Sequence, residues 1–324
     1  MDYILLLIGF VCLVKGADFF VSGSSAIARH FNIPAFIIGL TIVAFGTSMP
    51  EAAVSVTAAI KGANGIAVGN VLGSNMFNLL VVLGASAIIK ACPVSKSTLR
   101  FEFPLSIVAA AIVLLFCMGN SSNMLILSRM DGVVLLCVFV FFIAMTLHTV
   151  LMSNDANLPS QMPAPGSEEN AHKEISLPKG VILSIIGIAG IIIGGDVTVD
   201  SATNIALHFG IDETLIGLTI VAMGTSLPEL VTSVVAALKD ETDIAVGNVI
   251  GSNIFNLLFV LGLSVTIHPI SVTMFSVYDA IILIAVSLIA MIPMIRNRAF
   301  TRMWGIFFLI MYAAYLVYII MRTM

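Results

Sequence analysis

Two glutamates, Glu51 and Glu229, stand inside long apolar stretches behind the same residues in the same order: GTSMPE at 46–51 and GTSLPE at 224–229. A carboxylate deep in hydrocarbon is costly unless a proton, a cationic side chain or a metal ion neutralises it. Segments 39–51 and 69–84 and their copies contain no Lys or Arg, so they supply no local base. A bound cation, a proton, or alternation between the two remains.

The residues around the glutamates favour a cation site. Pro50 and Pro228 lack an N–H and crowd the carbonyl four residues back, so the helix ladder is expected to open around Gly46–Thr47 and Gly224–Thr225. Carbonyls freed inside a membrane need water, a hydroxyl or an ion. On an unbroken helix Thr47, Ser48 and Glu51 would face one side, and Thr225, Ser226 and Glu229 likewise. A second pair of segments, GNVLGSNMFNLL (69–80) and GNVIGSNIFNLL (247–258), stacks Ser74, Asn75 and Asn78, and Ser252, Asn253 and Asn256, at helical spacing. Their glycines, Gly69 with Gly73 and Gly247 with Gly251, allow close helix approach. Carboxylate, amide, hydroxyl and carbonyl oxygens suit Ca²⁺, Na⁺ or Mg²⁺. The absence of His and Cys from these segments argues against Zn²⁺ or Cu⁺. One Ca²⁺ balances two glutamates, and several Na⁺ could replace it on the neutral oxygens.

What must position these residues is a membrane bundle. The 324-residue chain is 59% hydrophobic and 10% charged, with mean hydropathy +1.12, against roughly 25% charged in soluble domains. Long apolar runs read as an all-α polytopic membrane protein with ten transmembrane helices, near 3–28, 33–60, 64–90, 102–118, 131–152, 179–207, 211–238, 243–267, 275–295 and 302–322. At a single offset of 178, 11 of 13 residues agree between 39–51 and 217–229, and 16 of 19 between 66–84 and 244–262. Five spans per half is an odd number, so the expected architecture is two inverted five-helix repeats with the site near the midplane. The repeats are assigned to 1–152 and 179–324, joined by a polar linker, 153–178, rich in Pro, Ser, Asn and Glu. The N-terminus lacks the basic region and small-residue cleavage site of a signal peptide and is kept as the first helix.

Lys and Arg set the expected orientation. With the N-terminus outside, Arg29, Lys90, Lys96, Arg100, Lys173, Lys179, Lys239, Arg296, Arg298 and Arg302 fall on the cytoplasmic side. Lys61, Arg129 and Arg322 fall outside, and Lys15 lies within the first helix. Lys15, three residues before Asp18, is the expected partner of that carboxylate; Asp196, its copy, and Asp200 lack such a neighbour. The four cysteines read as apolar packers and the five histidines as interfacial residues.

Two copies of the GTSxPE segment, each followed by GNxxGSNxxN, resemble the paired repeats of the cation/calcium exchanger superfamily, and the prokaryotic Na⁺/Ca²⁺ antiporters look closest. The resemblance spans the chain. It implies alternating-access antiport in a prokaryotic inner membrane, with Glu51 and Glu229 as central ligands shared by Ca²⁺ and Na⁺. It further implies backbone carbonyls of Thr47 and Thr225 on Ca²⁺, and Ala44, Ser48, Ser74, Ala222, Ser226 and Ser252 lining Na⁺ positions. Asn78 matches the family's amide; at Asn256 several members carry aspartate, which bears on K⁺ dependence. The expected partners are the bilayer, Ca²⁺ and Na⁺, with no nucleic acid and no cofactor; oligomeric state is left open. An H⁺/Ca²⁺ antiporter using the same glutamates is the alternative. An intramembrane enzyme is remote, since enzymes pair unlike residues and this chain duplicates like ones.

Overall fold

The computed structural model describes residues 2–31, 33–118, 125–155, 175–209 and 222–323. In chain order its helices are α1 (Asp2–His30), α2 (Ala35–Thr47), α3 (Met49–Ile60), α4 (Asn64–Ile89), α5 (Thr98–Met118) and α6 (Arg129–Asp155). They continue with α7 (Leu177–His208), α8 (Ala222–Gly224), α9 (Leu227–Leu238), α10 (Thr242–Ile267), α11 (Met274–Arg296) and α12 (Arg302–Thr323). Among the described residues eight helices are long and apolar enough to span a bilayer, and the bent pair α2–α3 makes a ninth. The expected seventh span, 211–238, is described only from Ala222 onward; residues 211–221, most of linker 153–178, Lys173 and His172 lie outside the described residues.

Among the described residues, four two-residue strands, which apolar periodicity did not foretell, tie the ends together. Strand β1 (Cys92–Pro93) pairs with β4 (Ala299–Phe300), and β2 (Ile126–Leu127) with β3 (Ile270–Ser271), both antiparallel. Lys90, just before β1, pairs with Asp240, just before α10, whereas β3 follows the far end of α10. The ladders therefore sit at opposite ends of a 26-residue helix about 39 Å long. We call the β1–β4 end the near face and the β2–β3 end the far face.

The duplication continues where sequence similarity fades. At the 178 offset β1 maps onto β3, while α6 maps onto α12 at 173, taking Gly132 to Gly305. Gly132 packs on Gly262 and Gly305 on Gly84, the two members of another 178 pair. Each half thus lends its last helix to the other half. A missing Cβ at these positions lets backbones touch, the usual device where helix association has no hydrophobic drive.

The same device sets α1 against α7. Gly9, Gly16 and Gly23 recur every seven residues, as do Gly180, Gly187 and Gly194. A Cβ on Gly16 would stand 2.7 Å from Ile191 N, and one on Gly187 2.5 Å from Phe20 N. The two long helices run against each other over nearly their whole length. At the other extreme, α10 is the most buried long helix and α12 the least. Phe45, Phe139, Phe255 and Phe259 form one aromatic cluster packing α2 and α6 against α10.

Candidate functional site

The chain breaks where proline dictates. Pro50 has no N–H to give to Gly46 O, and α2 and α3 diverge by 47° across Ser48. Ser48 takes φ −85°, ψ 9°, and its copy Ser226 φ −91°, ψ 5°, the sparsely allowed region between helix and strand. Glu51 and Glu229 fall in the first turns of α3 and α9, where the positive end of each helix favours a carboxylate.

The break changes who faces whom. Ser48 Oγ donates to Glu229 Oε1 at 2.7 Å, and Ser226 Oγ donates to Glu51 Oε1 at 2.9 Å. Sequence spacing grouped Ser48 and Thr47 with Glu51; the structure adds that each serine serves the other repeat's glutamate. Thr47 Oγ1 meets Asn248 Oδ1 at 3.1 Å, and Thr225 Oγ1 meets Asn70 Oδ1 at 3.2 Å. All of these links cross between the two copies. Ser252 adds a bond to Glu229 Oε1 at 3.4 Å.

Asn70 and Asn248 are residues that sequence reasoning passed over. Asn70 Nδ2 donates to Glu51 O at 3.2 Å and Ser55 Oγ at 2.9 Å; Asn248 Nδ2 donates to Glu229 O at 3.5 Å and Ser233 Oγ at 2.9 Å. Each amide clamps its own repeat's glutamate backbone while receiving the other repeat's threonine. Their strict duplication at the 178 offset was the available signal. Asn248→Ala is expected to leave Glu229 O and the buried Ser233 hydroxyl without their donor, at about 1–3 kcal/mol, read as a lower thermal midpoint in detergent, while Thr47 Oγ1 keeps Val43 O at 3.1 Å.

Glu51, Glu229, Ser48, Ser226, Ser74, Ser252, Asn78 and Asn256 are all buried. Asn78 and Asn256 sit in π-helical turns, Asn78–Val82 and Phe255–Val260, a widened coil that often marks functional positions. Among the described residues, the buried oxygens without a protein partner include Glu51 Oε2, Glu229 Oε2, Asn78 Oδ1 and Asn256 Oδ1. They form two symmetry-related pairs, and hard oxygens of this kind are what Na⁺ or Ca²⁺ accepts. Ala44 is buried where α2 meets Gly251 of α10. Ala222 opens α8, and Gly217–Val221 of the second motif lie outside the described residues. Gly247 closes on the backbone of Phe36 and Leu40, as GxxxG spacing implied, whereas a Cβ on Gly69 or Gly73 would meet nothing within 4 Å among the described residues.

One expected partner is wrong. Asp18 pairs with Lys239 Nζ at 2.6 Å rather than with Lys15, because Lys239 reaches α1 from the end of α9. Arg322 is also drawn in, making a two-bond pair with Asp279 at 2.7 and 2.8 Å.

The family model for the sodium/calcium exchanger protein matches residues 1–148 and 179–321. The chain belongs to the sodium/calcium exchanger family. It is 33% identical over 98% of both chains to sodium/calcium exchanger MaX1 of Methanosarcina acetivorans. It is 42% identical to a putative antiporter, CaxA, of Alkalimonas amylolytica, over 82% of this chain and 81% of the relative. A solved structure of the sodium-calcium exchanger NCX_Mj superposes with TM-score 0.82 at 33% identity, covering 98% of each chain. This exchanger is an integral membrane protein, and its relatives are transporters rather than enzymes.

Proposed function

We propose that this exchanger is an antiporter that carries Ca²⁺ against Na⁺ by alternating access. The observation that carries the reading is the reciprocal Ser48–Glu229 and Ser226–Glu51 pairing, which leaves the second oxygen of each buried glutamate without a protein partner. Two buried carboxylates, each bonded to the other repeat's serine, need about two positive charges, and neutral oxygens around them can hand one Ca²⁺ over to Na⁺ ions. Glu51 and Glu229 are the central ligands, with the carbonyls of Thr47 and Thr225. Ser48, Ser226, Ser74, Ser252, Ala44, Ala222, Asn78 and Asn256 line the flanking positions. With the bent pair α2–α3 as the second span and 211–238 as the seventh, the chain makes ten spans in two inverted halves, 1–152 and 179–324. The near face is cytoplasmic and carries linker 153–178, with the N-terminus outside, in line with its Lys and Arg excess. The α1–α7 pair moves to open one side at a time.

Protons would need only the glutamates, so the surrounding hydroxyl and amide oxygens favour Na⁺ over H⁺. In vesicles holding the purified protein, an outward Na⁺ gradient is expected to drive uptake of radiolabelled Ca²⁺, and a pH gradient alone is not. Uptake driven equally by a pH gradient without Na⁺ would replace this reading with the proton antiporter.

A further inference from the structure

Resting on alternating access, we propose that Asp18–Lys239 on the near face and Asp196/Asp200–Lys61 on the far face are alternating latches, one formed while the other is open. Lys239 Nζ meets Asp18 Oδ1 at 2.6 Å, Ser22 Oγ at 2.6 Å and Asp18 O at 2.8 Å. It fastens the middle of α1 to the end of α9. The 178 offset carries Asp18 to Asp196, Ser22 to Asp200, and Lys61 to Lys239. Every member of the latch therefore has a chemically equivalent or stronger counterpart in the other repeat, and Lys61 ends α3 as Lys239 ends α9.

The counterparts are apart. Lys61, Asp196 and Asp200 are all exposed, and no ion pair joins them among the described residues. Helix packing shows the same asymmetry: α1 lies along α9, whereas the equivalent contact of α7 with α3 is nearly absent. Two repeats of like sequence in unlike arrangements define two states, reached by exchanging the arrangements between them. In the exchanged state α7 lies along α3, and Lys61 reaches Asp196 and Asp200. The four carboxyl and hydroxyl positions that the glutamate site leaves unused thereby gain a role.

The near face also has two pairs without counterparts. Arg29 meets Glu241 at 3.2 Å, and Lys90 meets Asp240; the offset places Ala63 and Gly62 opposite Glu241 and Asp240. These pairs are exposed and individually weak, but all favour closure of the near face.

Cross-linking tests this without transport. In a full-length variant with Cys12, Cys92, Cys117 and Cys137 replaced by alanine, Lys61→Cys with Asp196→Cys is treated with copper phenanthroline as oxidant. A low disulfide yield is expected, rising at least about threefold when Lys239→Met is added to release the near latch (a shift of roughly 0.6 kcal/mol). Asp18→Cys with Lys239→Cys is expected to cross-link readily and to lose yield if Lys61 and Asp196 are first joined by a disulfide in a four-cysteine variant. No 61–196 cross-link, or a yield indifferent to Lys239→Met, overturns the latches. The vesicle assay stands apart: Na⁺-driven Ca²⁺ uptake with no 61–196 cross-link rejects the latches alone.

Discussion

Glu51→Gln and Glu229→Gln are each expected to abolish Ca²⁺ exchange in a protein that still inserts and folds. Glutamine keeps the volume and an oxygen for the opposing serine, so the Ser226 and Ser48 contacts at 2.9 and 2.7 Å can persist. The charge is what goes. With one carboxylate left, a bound Ca²⁺ carries an uncompensated positive charge in a fully buried cage. Removing one partner of a buried charge pair costs about 3–5 kcal/mol. At about 1.4 kcal/mol per tenfold, that is a loss of roughly two to three and a half powers of ten in affinity. Calorimetric Ca²⁺ binding and vesicle uptake read the loss, and an unchanged size-exclusion profile shows that the fold survives. Uptake at the unsubstituted rate in both variants would remove the glutamates from the site.

Substitutions in the α1–α7 glycine seam are expected to fall in a graded order of damage. Alanine at Gly187 would bring its Cβ to 2.5 Å from Phe20 N and 2.7 Å from Phe20 Cα; at Gly16, to 2.7 Å from Ile191 N. Neither neighbour is a side chain that can swing away, so the helices must part. Alanine at Gly190 would lie 3.2 Å from Gly16 Cα, and at Gly195 no nearer than 3.7 Å. Overpacking costs about 1–3 kcal/mol, so thermal midpoints in detergent should fall most for Gly187→Ala and Gly16→Ala, less for Gly190→Ala, and little for Gly195→Ala. Exchange should fall in the same order, since this seam joins the helices proposed to move. Equal midpoints across the series would mean that the seam is loose and its glycines immaterial to packing.

The positions of the broken helices were legible in the chain because proline acts locally. Pro50 removes a donor wherever the chain goes, and the 47° bend at Ser48 follows. The oxygen-rich character of the site was legible for a similar reason, as residue type fixes ligand type. Partner choice was not. Asp18 has Lys15 three residues away, yet it pairs with Lys239, which is distant in sequence but brought beside α1 by the fold. Asn70 and Asn248 gave no sign of bridging the copies, because a helical face predicts neighbours only within its own helix.

By itself, then, the sequence determined a membrane bundle, a duplication at offset 178, two prolines that break helices, and two glutamates without a local base. These are properties of composition and short-range chemistry. The tertiary structure decided that each serine serves the other repeat's glutamate, that the last helix of each half crosses to the other, and that the two copies pack unequally. Those outcomes depend on how helices far apart in the chain meet, at glycine contacts and cross-repeat hydrogen bonds that no local spacing encodes.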